Sequence, residues 1–235
     1  MRRVLISFLL AVATLLTASA QVTRHELKVG DFNRLTVVSD INVNYRCNAD
    51  SAGMAVVTCS KDLLDFIMFK LSAKGRLSIQ LSEFYERMEG LPTVTVYSSS
   101  IEEVENDGDS TLRVTGLPPS KAFKARLTDN GKVIVRGVRA SQLELHILSG
   151  KGKIIAQGAC DDLSLRLVGT GEIQADEVEA VNVSCRIIGT GSMGCDVRGG
   201  ELKVSGSGTG KVYYKGTPSK VTVRKLGTIK AIPME

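Results

Sequence analysis

The chain has 235 residues, of which 43% are hydrophobic and 23% are charged, with 23 Gly, 5 Cys and no Trp. This composition excludes a disordered chain, which would be poorer in Val, Ile and Leu, and five cysteines are too sparse for a disulfide-dense scaffold. The formal net charge of +5 is expected to be spread evenly, so it gives no case for a nucleic-acid partner.

The N-terminus has the features of a secretory signal peptide. Arg2 and Arg3 precede an apolar run over residues 4–16, and Ala18-Ser19-Ala20 is a small-x-small cleavage site before Gln21. We therefore expect a signal peptide over residues 1–20, cleavage between Ala20 and Gln21, and a short mature segment over residues 21–30. An uncleaved N-terminal anchor is the alternative. No second apolar run approaches 18 residues, so the mature chain is expected to lack a transmembrane segment.

The first strands of the mature chain alternate apolar and polar residues. Residues 35–38, 41–45 and 55–59 show this pattern, and a turn segment follows the second run. The pattern predicts a hairpin over residues 41–60. Cys47 and Cys59 lie at either end of it, and an exported protein meets an oxidising compartment, so a disulfide between them is plausible. Two buried thiols are the alternative.

The next segments remain rich in predicted strand. Residues 63–71 predict a short helical turn leading into a strand, and residues 77–81 and 93–97 predict further strands. An acidic stretch over residues 102–109 ends in a corner that contains Gly108. It does not match the spacing of a 12-residue Ca²⁺ loop. No Ser/Pro/Gly-rich linker follows, so one domain over residues 31–230 is preferred, with a tail over 231–235. A boundary near residues 117–122 is the alternative.

From residue 125 onward the chain repeats with a period near 20. Short alternating strands meet a Gly-containing break and then resume, and the breaks are 17–21 residues apart. This period with strand-type alternation is typical of a β-solenoid, so the chain is predicted to be all-β. Glycine can take a positive φ at a sharp corner, which predicts structural corner positions at Gly108, Gly131, Gly152, Gly171, Gly191, Gly210 and Gly227.

Stacking of such coils predicts which residues share an inward column. Leu145, Leu165, Cys185 and Val204 align, and Cys195 aligns with a second inward set. Cys185 and Cys195 are therefore expected to pack as small hydrophobes, which leaves Cys160 as the expected unpaired thiol. A rod of coils also has two exposed β edges that must be blocked or used, and Pro233 fits a blocked end.

Two kinds of binding site, a phosphate loop and a metal site, are not supported by the sequence. Gly206 to Lys211 invites a phosphate-loop interpretation, but Val212 replaces the required Ser or Thr and a strand follows where a helix is needed. A metal site is disfavoured because the chain has no Cys-x-x-Cys and because His25 and His146 are far apart in sequence. No catalytic residue and no cofactor is therefore predicted.

Paired carboxylates on a β-helix leave one enzymatic alternative open, a polysaccharide hydrolase or lyase. The absence of Trp weakens it, because sugar subsites usually present aromatic platforms. The candidate carboxylates are Asp161, Asp162, Glu172, Asp176, Glu177 and Glu179.

The order of several short motifs resembles the head GIN domain family, described as "putative auto-transporter adhesins" that are exported and common in Bacteroidetes. The family's Gly-Ile-Asn appears as Asp40-Ile41-Asn42, and its Gly-x-Gly corners recur as Gly-Thr-Gly. The resemblance implies a β-helix-like fold and export to the periplasm or cell surface, and it implies no catalytic residues. The other motifs that carry it are Phe32-Asn33-Arg34-Leu35-Thr36-Val37, Leu63-Leu64-Asp65 and Gly75-Arg76-Leu77-Ser78-Ile79.

The sequence therefore predicts an exported, non-enzymatic β-solenoid that acts as a binding or structural surface module. Its ligand is unknown, with a cell-surface glycan or protein as candidates. Self-assembly through β edges or solenoid ends is a further possibility.

Overall fold

The structure is a computed structural model that describes residues 22–82 and 92–234. Seventy per cent of the chain is strand, with almost no helix, and a β-solenoid forms about seven turns of roughly 20 residues each. The predicted fold class is therefore confirmed. The predicted signal peptide, with Ala20 and Gln21 at its cleavage site, lies outside the described residues.

The first part of the chain contains short strands and one turn of helix. The predicted helical turn before a strand is confirmed as α1 and β5. The elements are β1 (Thr23–Lys28), β2 (Arg34–Val38), β3 (Val43–Cys47), β4 (Met54–Cys59), α1 (Lys61–Leu64), β5 (Ile67–Leu71), β6 (Arg76–Leu81), β7 (Val94–Ser98), β8 (Glu103–Asp107) and β9 (Thr111–Thr115).

The second part contains longer strands that bend as they pass around each coil. Three of them, β11 to β13, contribute to both sides of the solenoid. The strands are β10 (Ser120–Thr128), β11 (Lys132–Ile147), β12 (Lys153–Gly169), β13 (Glu172–Gly189), β14 (Ser192–Arg198), β15 (Glu201–Gly208), β16 (Lys211–Thr217), β17 (Lys220–Gly227) and β18 (Lys230–Pro233).

The strands form two mainly parallel stacks that enclose one core. The front stack runs β6, β2, β8, β10, then the C-terminal parts of β11, β12 and β13, then β15 and β17. The back stack runs β7, β3, β9, then the N-terminal parts of β11 to β13, then β14, β16 and β18. Strands on either side of residues 117–122 pair directly, since β10 lies between β8 and β11.

The core consists of inward columns that run along the solenoid axis. In each strand alternate residues are buried, as expected when successive side chains point to opposite faces. The predicted column is confirmed, and Cys185 and Cys195 are buried within the core. The full column contains Leu77, Leu35, Val104, Ala125, Leu145, Leu165, Cys185, Val204 and Val223.

The N-terminal strands do not follow chain order, and the predicted hairpin over residues 41–60 is wrong. β3 and β4 do not pair with each other, because β7 lies between them, parallel to β3 and antiparallel to β4. The coil made by β2 and β3 is likewise inserted between the coil of β6 and β7 and the coil of β8 and β9. Local alternation predicted the strands correctly but not their partners.

The same arrangement rules out the predicted disulfide. Cys47 and Cys59 are both free thiols, and Cys47 lies opposite Ser98 at one end of β7. Val57, two residues before Cys59, lies opposite Val94 near the other end. The two thiols are thus separated by one strand and by more than four residues along it, far beyond the 4.4–6.8 Å between Cα atoms that a disulfide needs.

The corner glycines are present, but most of them serve a different purpose from the one predicted. Gly108 and Gly227 have positive φ, whereas Gly131, Gly152, Gly171, Gly191 and Gly210 do not. A Cβ on Gly171 would lie 2.5 Å from the carbonyl oxygen of Gly152 in the preceding coil. Close stacking of backbones therefore requires these five glycines. The positive φ belongs to the first glycine of the corner motif, as in Gly169 at 117°.

Candidate functional site

The outer side of the front stack carries four columns of outward-pointing side chains, which we call the ladder face. Three of the columns are polar or charged, and one is mainly apolar. They arise because residues between the inward positions of β11, β12, β13 and β15 point outward, and because parallel register places equivalent residues side by side. The columns are Gln142, Asp162 and Asn182; Glu144, Ser164, Ser184 and Lys203; Arg126, His146, Arg166, Arg186, Ser205 and Arg224; and Leu148, Val168, Ile188, Ser207 and Leu226.

The basic column is the most unusual of the four. Arg166 lies in register with Arg186 on the neighbouring parallel strand, about 4.8 Å away along the stack. Both side chains are exposed, and within the described residues neither forms an ion pair. Arg126 in the same column is neutralised by Glu103 at 3.3 Å. Like charges directly opposite each other destabilise a sheet, so a ligand anion is the natural counter-charge for the unpaired arginines.

His146 interrupts the charge of the basic column. Burial lowers the pKa of its imidazole, although the Glu144 carboxylate, 3.7 Å away, acts in the opposite direction. His146 is therefore neutral at pH 7. Glu144 itself forms an ion pair with Lys124, whose hydrogen bond lowers the pKa of the carboxyl. Lys124 and Glu144 thus neutralise each other beside His146. The unpaired positive charge of the basic column therefore begins at Arg166 and Arg186.

A polar groove runs along the first two columns of the ladder face, which begin at Gln142 and Glu144. It has a volume of about 400 Å³ and is lined by residues of four successive coils. Asn182 Nδ2 donates to Asp162 Oδ1 at 3.1 Å, and Asn182 Oδ1 accepts from the backbone N–H of Glu201 at 3.1 Å. A second groove of about 560 Å³ shares Gln142 and Glu144 with the first. The two form one trough along the solenoid axis, as an elongated ligand requires.

The opposite margin of the ladder face is apolar. Leu148, Ile188 and Leu226 are exposed, and Ile188 lies in register with Val168. A small hollow between Arg186, Ile188 and Leu226 connects this margin to the basic column. Cationic and apolar groups are thus available side by side, which suits a ligand with anionic groups on a partly apolar chain.

The candidate carboxylates of the enzymatic alternative are dispersed. Glu172 pairs with Lys153 at 3.0 Å and Asp176 faces Lys215 at 3.9 Å, both on the back stack. The first interaction helps lower the pKa of Glu172, whereas a glycosidase general acid needs a raised one. Asp162, by contrast, lies on the front stack. Glu179 faces Arg198 at 3.4 Å, and Asp161 and Glu177 are exposed. No observation therefore favours a catalytic pair.

Arginines pair with the glutamates of the acidic stretch over residues 102–109. Arg76 contacts Glu103 at 3.2 Å and Glu105 at 3.4 Å. Asp109 accepts hydrogen bonds from the backbone and side chain of Asn130. Within the described ranges, no group of three or more His, Cys, Asp or Glu side chains is placed to hold a metal ion.

Comparison with known proteins gives the family. The sequence profile described as "Putative auto-transporter adhesin, head GIN domain" matches residues 31–218. The chain belongs to the head GIN domain family. The resemblance seen in the short motifs is thereby confirmed, and the match covers the ladder face as far as residue 218. No curated protein sequence matches the chain significantly.

Solved structures share the fold at low sequence identity. A "putative adhesin" from Bacteroides fragilis has a TM-score of 0.82 and 17% identity, covering 92% of this chain and 98% of the other. A "Putative lipid binding protein" from Parabacteroides distasonis has a TM-score of 0.71 and 18% identity, with the same coverages. A "putative adhesin" from Parabacteroides merdae has a TM-score of 0.67, 18% identity and again 92% and 98% coverage. These similarities establish the solenoid architecture of this head GIN protein.

Within residues 22–82 and 92–234, no helix is long and apolar enough to cross a membrane.

The hydrophobic pattern of the sequence does not predict the ladder face. That pattern reports the inward columns, whereas the side chains of the ladder face point outward. A signal was present: Arg126, His146, Arg166 and Arg186 are each 20 residues apart, which matches the period of the coils. This spacing of outward residues predicts the basic column.

Proposed function

We propose that this head GIN protein is an exported, non-enzymatic binding module of the adhesin type, and that its ladder face holds an extended anionic ligand such as an acidic cell-surface glycan. The N-terminal signal sequence and the family description support export. The family description also supports an adhesive role, and the ladder face supplies the surface for it.

The observation that carries the proposal is the pair of stacked, unpaired arginines. Arg166 and Arg186 lie in register on an exposed face, where their mutual repulsion costs stability. An anionic group bound between them removes that repulsion and accepts charge-assisted hydrogen bonds from two guanidinium groups. A chain with repeated anionic groups gains more than a single ion, because it crosses several coils.

The neighbouring columns supply the remaining contacts. Asp162 and Asn182 line the polar groove, where they can exchange hydrogen bonds with hydroxyl groups of a sugar chain. Leu148 and Ile188 can pack against its apolar faces on the other side. The ladder face therefore combines charge, hydrogen bonding and apolar contact along one axis.

Binding to defined polymers tests this function. The chain without residues 1–20 is tested against heparin, polygalacturonate and neutral dextran. We expect binding to at least one acidic polymer and none to dextran. The double variant Arg166→Gln and Arg186→Gln should weaken that binding about tenfold or more. The control variant, Arg136→Gln and Arg139→Gln, removes two exposed arginines outside the ladder face and should leave binding unchanged.

Three outcomes would overturn the proposal. Equal loss in both double variants would mean that only net charge matters. Binding to anionic vesicles without binding to any acidic polymer would assign the face to lipid. Normal surface attachment of cells that lack the protein, together with no binding to a broad glycan array, would remove the adhesive role.

A further inference from the structure

The last coil of the solenoid has an open β edge. In the described residues β17 pairs only with β15, and β18 pairs only with β16. The outer backbone groups of β17 are therefore free for another strand. β18 has only four residues and ends at Pro233, which lacks an N–H donor. β17 has eight residues and contains no proline, so it is the usable edge.

The core is also uncovered at this end. Val221 and Val223 occupy the inward columns of the solenoid, yet they are 40% and 39% exposed. Their neighbours one coil earlier, Leu202 and Val204, are 0% and 1% exposed. A further strand beside β17 would cover these valines, as each coil covers the one before it.

The charge of this end is strongly positive. Residues 211–235 contain six Lys and Arg and one Glu, whereas residues 21–210 contain 22 Lys and Arg against 24 Asp and Glu. The expected even spread of charge is therefore wrong. Lys220, Arg224 and Lys225 are exposed on β17, and Lys230 is exposed on β18. The edge thus combines free backbone groups, apolar rungs and a concentration of positive charge.

We propose that β17 binds an acidic, extended segment of a different protein by strand addition. Backbone hydrogen bonds to the free edge provide affinity, alternate apolar side chains of the segment cover Val221 and Val223, and its acidic side chains face the lysines. Charge complementarity selects this partner, because the edge carries no acidic residue of its own.

Charge also argues against a second copy of this chain as the occupant. Two C-terminal ends would bring two positively charged surfaces together. The opposite end offers no excess of negative charge, since residues 22–91 contain nine Lys and Arg and nine Asp and Glu. Lysine on an edge strand commonly prevents self-association. Here the same charges that repel an identical edge attract an acidic strand.

The experiment uses an eight-residue peptide of alternating Glu and Val, matched in length to β17, with the chain lacking residues 1–20. A Lys/Val peptide of the same pattern is the charge control. A Glu/Val peptide methylated on alternate backbone nitrogens keeps the charge but loses the ability to pair as a strand. We expect the Glu/Val peptide to bind, the methylated peptide to bind at least tenfold more weakly, and the Lys/Val peptide not to bind.

Matched variants locate the site. Lys220→Glu with Lys230→Glu should weaken peptide binding about tenfold or more, since it reverses charge at the edge. Lys61→Glu with Lys74→Glu reverses two exposed charges at the opposite end and should have no effect. Neither pair touches Arg166 or Arg186, so binding to acidic polymers through the ladder face is expected to persist in both.

Four results would overturn the proposal. Equal binding of the methylated peptide would show attraction without strand pairing. Binding to phosphatidylglycerol vesicles in the absence of peptide binding would assign the end to a membrane surface. Concentration-dependent dimerisation that the Lys220→Glu and Lys230→Glu variant abolishes would assign it to a second copy. Equal loss in both variants would indicate net charge alone.

Discussion

The two ends of the solenoid are built differently. At the N-terminal end, β4 and β5 run antiparallel to β7 and β6, and β1 adds a further antiparallel strand outside β4. At the C-terminal end, β17 and β18 follow the parallel register of every earlier coil. Leu77 and Val223 are the terminal rungs of one inward column, yet Leu77 is fully buried and Val223 is 39% exposed.

This difference shows that antiparallel strands cover one end of the described solenoid, whereas the strands at the other end keep an unpaired edge. Terminal repeats of a solenoid need a cap, because each repeat contacts only its neighbours. The N-terminal cap changes strand direction, so a strand added on that side would not continue the parallel register of the coils. The C-terminal coil offers a register that another strand can continue. Pairs of substitutions test this contrast. In each pair, one residue lies in the interior of the solenoid or in its N-terminal cap, and the other lies in the C-terminal coil.

The largest expected effect comes from the column of positive-φ glycines. Gly189, at φ 132°, is in register with Gly208 in the following coil, and a Cβ would collide with the carbonyl oxygen of Gly169. Gly227, at φ 97°, is in the last coil, and a Cβ there would also lie close to a carbonyl oxygen of the preceding coil, 2.5 Å from that of Gly208, but no further coil in the described residues prevents its strand from shifting outward. We expect Gly189→Ala to lower the free energy of unfolding by about 3 kcal/mol and Gly227→Ala by about 1 kcal/mol, as measured by denaturant unfolding.

A substitution at Gly199 separates the cost of a strained backbone from the cost of a collision between stacked coils. Its φ is 82°, but a Cβ there would meet nothing within 4 Å, so Gly199→Ala reports backbone strain alone. We expect a cost of about 1 kcal/mol. If Gly189→Ala cost no more than Gly199→Ala, close stacking of the coils would not be what the corner glycine provides.

The regular coils could be predicted from sequence, whereas the N-terminal cap could not. In the repeats, Leu145, Leu165 and Cys185 recur with the period of the coil and each coil follows its predecessor, so sequence spacing gives spatial neighbours directly. The first coils lack this correspondence. β7 was recognised as a strand, but its position between β3 and β4 depends on contacts between distant residues that no local pattern encodes.

The glycine corners show a subtler limit. Sequence spacing located Gly171 and Gly191 correctly but assigned them a positive φ, which their predecessors Gly169 and Gly189 have instead. Two glycines two residues apart carry the same compositional signal, and only the backbone shows which one turns the chain and which one allows close approach. The ladder face was missed for a related reason, because outward residues such as Arg166 show no hydrophobic pattern.

A smaller effect compares the same substitution at the two ends. Val57 in the capping strand β4 is fully buried, whereas Val223 in β17 is partly exposed. We expect Val57→Ala to cost about 2 kcal/mol, since it removes two buried methyl groups, and Val223→Ala to cost less than about 1 kcal/mol. Thermal unfolding of both variants measures the difference. Equal costs would mean that the open end is covered in the isolated protein.

The smallest effect concerns pH and the interior of the ladder face. Burial lowers the pKa of His146 in the folded chain below the value of about 6.5 expected in the unfolded chain. The unfolded state therefore binds the proton more readily, so stability should fall as the pH drops below about 6.5 and level off below the folded pKa. His146→Gln should show a shallower fall between pH 7 and pH 5 in denaturant titrations, while Arg166→Gln on the next rung should retain the wild-type slope. Identical slopes for wild type and His146→Gln would mean that the imidazole is solvated in the folded protein, and the basic column would then gain a further positive charge in mild acid.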